Sequence, residues 1–128
     1  MFLRALLSAM LTLVSGLAAG EWQRLGASGE PAVYFDPTSI SREDGNVKML
    51  TLHDHKTPVT NFRGWIYRSV KTVNEFDCKH ERRRAVFSAL HLGQMGGGIV
   101  VANERSGWIK IPPESHDRPL WKLACGEK

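Results

Sequence analysis

Short apolar segments separated by turn residues run through the first half of the chain. EWQRLG (21–26) and AVYFD (32–36) both end near glycine, proline or aspartate, and NVKMLTLHDHK (46–56) is rich in residues that favour strands. SREDGN (41–46) is the clearest turn. Residues 57–64 are polar and predict a loop. The pattern therefore predicts short strands joined by turns.

The second half predicts one long strand and an antiparallel partner. Residues 65–80 are rich in Ile, Tyr, Val, Thr and Phe. Because strand side chains alternate, Phe76, Cys78 and His80 are expected on one face of this strand. Residues 84–93 predict the partner strand.

Glycine, proline and charged residues in the rest of the chain predict loops and two further short strands. A bend is expected within residues 79–83, and QMGGG (94–98) predicts a flexible loop with Met95 exposed. Residues 99–104 and 108–111 predict short strands, the second ended by two prolines.

Only the C-terminal segment has helical spacing. Ser115 or Asp117 is the expected N-cap, and Gly126 follows the last helical residue as a terminator. Trp121 and Cys125 are four residues apart and share a helix face, which we expect to pack on the sheet.

Residues 1–20 have the pattern of a secretory signal peptide. Arg4 precedes an apolar run, and small residues precede the expected cleavage before Glu21. The run is too short to span a membrane, which needs about 20 apolar residues. Residues 21–128 are then expected to form a single exported domain.

The net charge and the cysteine content exclude some classes of function. The net charge is +4, with 17 Lys and Arg against 13 Asp and Glu, which is too small an excess for a nucleic-acid binder. Export to an oxidising compartment favours a disulfide between Cys78 and Cys125, with two free thiols as the alternative.

Three histidines are candidate ligands for zinc, copper or haem. His53 and His55 point from one strand face if the strand is regular, and His80 lies in the second predicted strand. A lone H-x-H is weak evidence, and no third ligand has characteristic spacing. Ordinary sheet histidines are the favoured interpretation, and no metal site or cofactor is expected.

Three consecutive arginines form the other candidate binding site. Arg82, Arg83 and Arg84 could meet glycans, phosphate or acidic proteins. The favoured alternative is a solvated turn in which these arginines pair with Asp77, Glu75 or Glu81. No nucleophile, base and acid stand in a recognisable catalytic pattern, so no enzyme activity is expected.

The order of these motifs resembles the surface-adhesin protein E family of Gram-negative bacteria. The similar pieces are YFDPTSISREDG (34–45), SVKTVNEFDC (69–78), Arg84, Trp108 and the closing Cys125-Gly126. The resemblance implies an α+β fold: a small curved antiparallel sheet with a C-terminal helix packed on it and tethered by a Cys78–Cys125 disulfide.

The resemblance also implies a function. The adhesin of this family binds host extracellular-matrix and plasma proteins, and haem binding is associated with it. We therefore expect a non-enzymatic binding domain with host or envelope proteins as partners, in the periplasm or at the cell surface. The alternatives are a periplasmic haem or metal carrier and a structural envelope protein without a ligand. The signal sequence ends LAAGEW, without a cysteine to acylate, so a lipoprotein is not expected.

Overall fold

One antiparallel sheet and one helix make up the part of the chain that the computed structural model describes, residues 21–126. The predicted signal peptide lies outside these residues. The elements are β1 (Gln23–Leu25), β2 (Ala32–Phe35), β3 (Ser41–Glu43), β4 (Asn46–Thr60), β5 (Ile66–Asp77), β6 (Arg82–His91), β7 (Val100–Glu104), β8 (Ile109–Lys110) and α1 (Arg118–Cys125). The order β1-β2-β4-β5-β6-β7, with β3 on β4 and β8 on β6, confirms the predicted α+β class.

Strand β4 is longer than the sequence predicted. Residues 57–60, expected in a loop, continue the strand, and Val59 and Thr60 pair with Tyr67 and Ile66 after a register shift that follows Asp54. This part of the strand was not predicted because it is polar and lacks a buried apolar face. Pairing with β5 nevertheless satisfies its backbone hydrogen-bonding groups.

The chain reverses at residues 61–65. The carboxamide oxygen of Asn61 accepts from the backbone N–H groups of Arg63 and Trp65, each at 3.0 Å. Such local side-chain hydrogen bonds are the usual reason for asparagine in turns.

Strand β5 ends at Asp77, so the prediction of a strand to His80 is wrong. One carboxylate oxygen of Asp77 accepts from the backbone N–H groups of Lys79 and His80, at 3.1 and 3.0 Å, and holds residues 78–80 in a turn. Cys78 and His80 therefore do not share a strand face with Phe76. Strand β6 then begins at Arg82, two residues earlier than predicted.

The glycine-rich segment is bound to the sheet, which differs from the flexible loop predicted. The N–H of Gly96 donates to the Ser69 hydroxyl at 2.8 Å, and the N–H of Met95 donates to Asp54 at 2.7 Å. Gly96 has a φ of +72°, and a Cβ there would lie 2.3 Å from the Cε of Lys71. The left-handed conformation therefore favours glycine, whereas the flexible end of Lys71 can move away from an added Cβ. Met95 is exposed, as predicted.

Helix α1 packs on the face of the sheet that carries Val47 and Met49, named here the helix-side face. Leu120, Trp121 and Ala124 are buried against these residues and form the core with Phe35, Phe76 and Ile111. An isolated helix of eight residues is too short to be stable in water, since about 12–15 residues are needed. Its stability therefore comes from this packing and from its covalent link.

The covalent link is the disulfide between Cys78 and Cys125, whose Cα atoms are 5.6 Å apart. The helix ends at Gly126 with φ +68°, as predicted. Asp117 is the N-cap residue, one of the two predicted, but its side chain makes no capping hydrogen bond. The Asp117 carboxylate instead bonds Arg83, and the Ser115 hydroxyl accepts from the N–H of Asp117.

No helix within residues 21–126 is both long and apolar enough to cross a membrane.

Replacing the bridge should weaken the domain measurably. The cysteines are 47 positions apart, and loss of a native bridge in a small exported domain costs about 2–5 kcal/mol. We expect Cys125→Ser, and the double variant Cys78→Ser/Cys125→Ser, to lose that much free energy of unfolding in urea titrations. The double variant should be insensitive to reductant, whereas reductant should destabilise the parent chain. Equal urea midpoints for the parent and both variants would contradict this account.

Candidate functional site

A cavity of about 270 Å³ lies on the helix-side face beyond the end of the core. It is named here the histidine cleft. Its lining residues are His53, His55, Tyr67, Val70, Thr72, Asn74, Arg83, Ala85, Ser88, Ser106, Ile109 and Asp117. The structure thus brings together two of the three candidate histidines and one of the three candidate arginines. His80 does not line this cleft and instead bonds Asp77 in the β5–β6 turn.

The floor of the cleft is a network of buried polar side chains. The Asn74 amide donates to the Thr51 hydroxyl at 2.8 Å and to the Met49 carbonyl at 3.2 Å. The hydroxyls of Thr72 and Ser88 are 2.9 Å apart. Buried polar groups of this kind are stable only when they are hydrogen-bonded, and these are.

The sequence carried a signal for this network that our prediction missed. Thr72 and Asn74 follow one another on one face of β5, between Val70 and Phe76. Two polar side chains on the buried face of a strand indicate a polar interior. Asp117 was missed as a site residue because its contact with β6 is distant in sequence.

The charges of the cleft are compensated within the protein. Arg83 donates from Nε to the Asp117 carboxylate at 3.2 Å and from Nη1 to the Asn74 carboxamide oxygen at 2.9 Å. His55 lies 3.2 Å from the carboxylate of Glu30. The two charged residues that line the cleft, Arg83 and Asp117, are therefore paired with each other.

The ring of His53 is the second histidine ring that lines the cleft. Burial lowers the pKa of His53 below its ordinary value, although Asp117 acts in the opposite direction. None of the interactions that shift its pKa is a hydrogen bond. The neutral imidazole therefore offers both a donor and an acceptor to a molecule in the cleft.

The consecutive arginines do not form one basic patch, because the strand turns alternate residues to opposite sides. Arg82 and Arg84 lie opposite the helix side, paired with Asp77 at 2.8 Å and with Glu75 at 2.6 Å. Both guanidinium groups also lie 4.8 Å from the centre of the Trp108 ring. Each of these charges already has a carboxylate partner and an aromatic face.

Asp77 is the carboxylate with the most hydrogen bonds in this region. Burial alone would raise its pKa, but the N–H of His80, the Arg82 guanidinium and the His80 ring together hold the pKa of Asp77 far below its usual range. Burial acts in the same way on Glu75, whose pKa is nevertheless lowered by hydrogen bonds from Asn46 and Arg84. Both groups are therefore ionised in the folded protein at neutral pH.

A second candidate surface is the end of the β4–β5 hairpin. The side chains of Phe62, Trp65 and Ile66 are 90%, 44% and 53% exposed. These three residues are named here the aromatic tip. The guanidinium of Arg63 lies 5.4 Å from the Phe62 ring. The sequence analysis did not predict this surface, because residues 57–64 were expected in a loop and the turn lies at 61–65.

The aromatic tip folds back toward the end of β7. The amide of Asn61 donates to Glu104 at 3.4 Å, and Arg63 lies 3.9 Å from the same carboxylate. Between the hairpin and β7 lies an open recess of about 330 Å³, lined by Phe62, Arg63, Phe87, Asn103, Glu104 and Arg105. The recess combines aromatic rings with arginine side chains at an exposed position.

Within the described residues, no three His, Cys, Asp or Glu side chains are grouped so that they could hold a metal ion.

Comparison with known proteins identifies the family of this chain. The profile of the surface-adhesin protein E family matches residues 22–126. The chain belongs to this family. No curated protein sequence matches significantly.

Solved structures of Haemophilus influenzae protein E share the fold. One superposes with a TM-score of 0.62 at 14% identity, covering 85% of this chain and 86% of that chain. A second crystal form gives 0.64 at 14% identity, with 85% and 90% covered. Protein E from a non-typeable strain gives 0.59 at 13% identity, with 80% and 75% covered.

Replacing Asp77 should reduce the sensitivity of the fold to acid. An unfolded aspartate takes up a proton near pH 4, whereas folded Asp77 does so only at lower pH. Its contribution is therefore fully present above about pH 4 and is lost as the pH falls below that value. Asp77→Asn should lower the free energy of unfolding at pH 7 by about 2–3 kcal/mol, because charge-assisted hydrogen bonds are lost, and should flatten the decline below pH 4.

Urea titrations from pH 7 to pH 2.5 measure both effects. Asp44→Asn is the control, since Asp44 is an exposed turn residue with φ +51°, a conformation that asparagine tolerates. A parallel decline for the parent and Asp77→Asn would contradict the assignment.

Proposed function

We propose that this chain is an exported, non-enzymatic binding domain of the adhesin type that recognises a protein partner. Membership of the surface-adhesin protein E family supports this proposal, as does the fold shared with protein E. Host extracellular-matrix proteins or envelope proteins are the expected partners. The predicted signal peptide supports export.

The observation that carries the proposal is the exposed aromatic tip. Aromatic residues and arginine are enriched in protein interfaces and account for much of their binding energy, whereas charged residues other than arginine are depleted at the interface core. Phe62 and Trp65 expose apolar surface beside Arg63, and the neighbouring recess could receive a side chain of the partner.

The arginines of β6 are a weaker candidate for the contact surface. A partner that used Arg82 or Arg84 would have to displace a carboxylate already within 2.8 Å. Arg83 is engaged inside the histidine cleft. We therefore assign the proposed contact to the aromatic tip rather than to the basic bend.

Removing the apolar surface of the tip should weaken binding without unfolding the domain. We expect Phe62→Ser/Trp65→Ser to reduce affinity at least tenfold, because buried aromatic anchors are the costliest interface residues to lose. The measurement is biolayer interferometry of purified protein on immobilised basement-membrane extract and on isolated cell envelopes.

Ile99→Ser and Leu123→Ser are matched controls, since both residues are exposed apolar positions away from the tip. They should bind as the parent does, with unchanged circular dichroism in all variants. Absence of parental binding to both surfaces at micromolar concentration would refute the adhesive proposal. Equal losses in tip and control variants would refute the assignment to the tip.

Surface display can be tested in intact cells. An adhesin that faces outward should be digested by added protease while a periplasmic control protein survives. An antibody against this chain reports the digestion. Protection until the outer membrane is opened would contradict surface display and leave a periplasmic partner as the target.

A further inference from the structure

An apolar groove of about 620 Å³ adjoins the histidine cleft. The β1–β2 loop and the start of α1 form its walls, and its lining residues are Leu25, Gly26, Ser28, Gly29, Glu30, Pro31, Val33, His53, His116 and Pro119. His53 lines both the groove and the cleft. The two cavities are therefore adjacent along the helix-side face, with His53 at their junction.

The register of the sheet explains this junction. Val33 of β2 pairs directly with His53 of β4, so both side chains lie on the same face. On one side of this pair the surface is mostly apolar, with Leu25, Pro31 and Pro119, although Glu30 and His116 also line it. On the other side lies the polar network of the cleft. The combined site is within the size range of small-molecule pockets, about 300–1,000 Å³.

The histidine cleft, which is the polar half of the combined site, indicates which kind of polar head group a ligand could have. Arg83 is paired with Asp117, and His55 with Glu30. A charged head group would have to break one of these pairs or be buried without a counter-charge, and both are costly. An uncharged hydroxyl or carbonyl needs only a hydrogen bond, which the ring of His53 can supply.

We propose that the groove and cleft together bind one molecule of an uncharged amphiphile. Its apolar chain lies along Leu25, Val33 and Pro119, and its hydroxyl or carbonyl head group bonds the ring of His53. The site is separate from the aromatic tip, so the proposal does not depend on the protein-binding function.

Three probes of equal chain length test the head-group preference. Octan-1-ol, octanoate and octylammonium present a neutral, a negative and a positive head at pH 7. We expect the alcohol to bind at least tenfold more tightly than either ion, measured by nuclear magnetic resonance titration of the purified chain. Shift changes should centre on Val33 and His53.

Two variants separate the halves of the site. Val33→Phe should fill the groove and weaken all three probes. His53→Phe keeps a ring of similar shape without nitrogen atoms, and should remove the preference for the alcohol while chain binding persists. Ile99→Ser, at an exposed position that lines neither cavity, should bind as the parent does.

Four outcomes would overturn the proposal. They are absence of alcohol binding, equal affinity for the three probes, strongest binding of an ion, and shift changes confined to the aromatic tip. If the parent's preference for the alcohol persisted in His53→Phe, the assigned role of His53 would be wrong.

Discussion

The buried carboxylate of Asp77 requires hydrogen-bond donors, and the way the chain supplies them organises the junction of sheet and helix. Two backbone N–H groups, the ring of His80 and the guanidinium of Arg82 all donate to it or lie within bonding distance. These contacts end β5, set the turn and start β6. The backbone carbonyl of Asp77 also accepts from the indole of Trp121 at 3.2 Å, which links the same residue to α1.

The disulfide of the neighbouring Cys78 joins the sheet and the helix covalently at this junction. Because the turn fixes Cys78 beside the end of β5, it lies within bonding distance of Cys125 at the end of the helix. A helix of eight residues then remains docked although it is too short to persist alone. Docking carries Asp117, just before the helix, to Arg83, and Arg83 in turn reaches Asn74. The pairing of Arg83 with Asp117 in the histidine cleft is therefore a consequence of where the helix is tied.

Local patterns predicted the class of fold and most of its elements. Turn residues marked the reversal at Asp44 and Gly45, although residues 41–43, predicted as part of the turn, form β3. Helical spacing marked α1, and the two cysteines in an exported chain indicated the bridge. Local patterns failed where a long-range contact overrides composition. The polar end of β4 is a strand because β5 pairs with it, and β5 stops at Asp77 because that side chain bonds the turn.

The candidate sites were predicted less well for the same reason. Histidines 53 and 55 were found by their spacing, but their partners in the cleft come from four other segments of the chain. The three arginines looked like one patch in sequence, and strand alternation divides them between two faces. The aromatic tip was not predicted because it depends on the position of the hairpin turn. The polar residues before that turn were expected in a loop.

Residue-by-residue hydrogen exchange, with and without reductant, tests the central claim that the Asp77–Cys78 turn ties the helix to the sheet. Reduction of the bridge should accelerate exchange of the Trp121 amide and of the Lys79 and His80 amides. Amides at the centre of β4 and β5, such as those of Leu52 and Val73, should remain protected. Unchanged exchange in the helix, or an equal loss of protection in helix and sheet centre, would contradict the account.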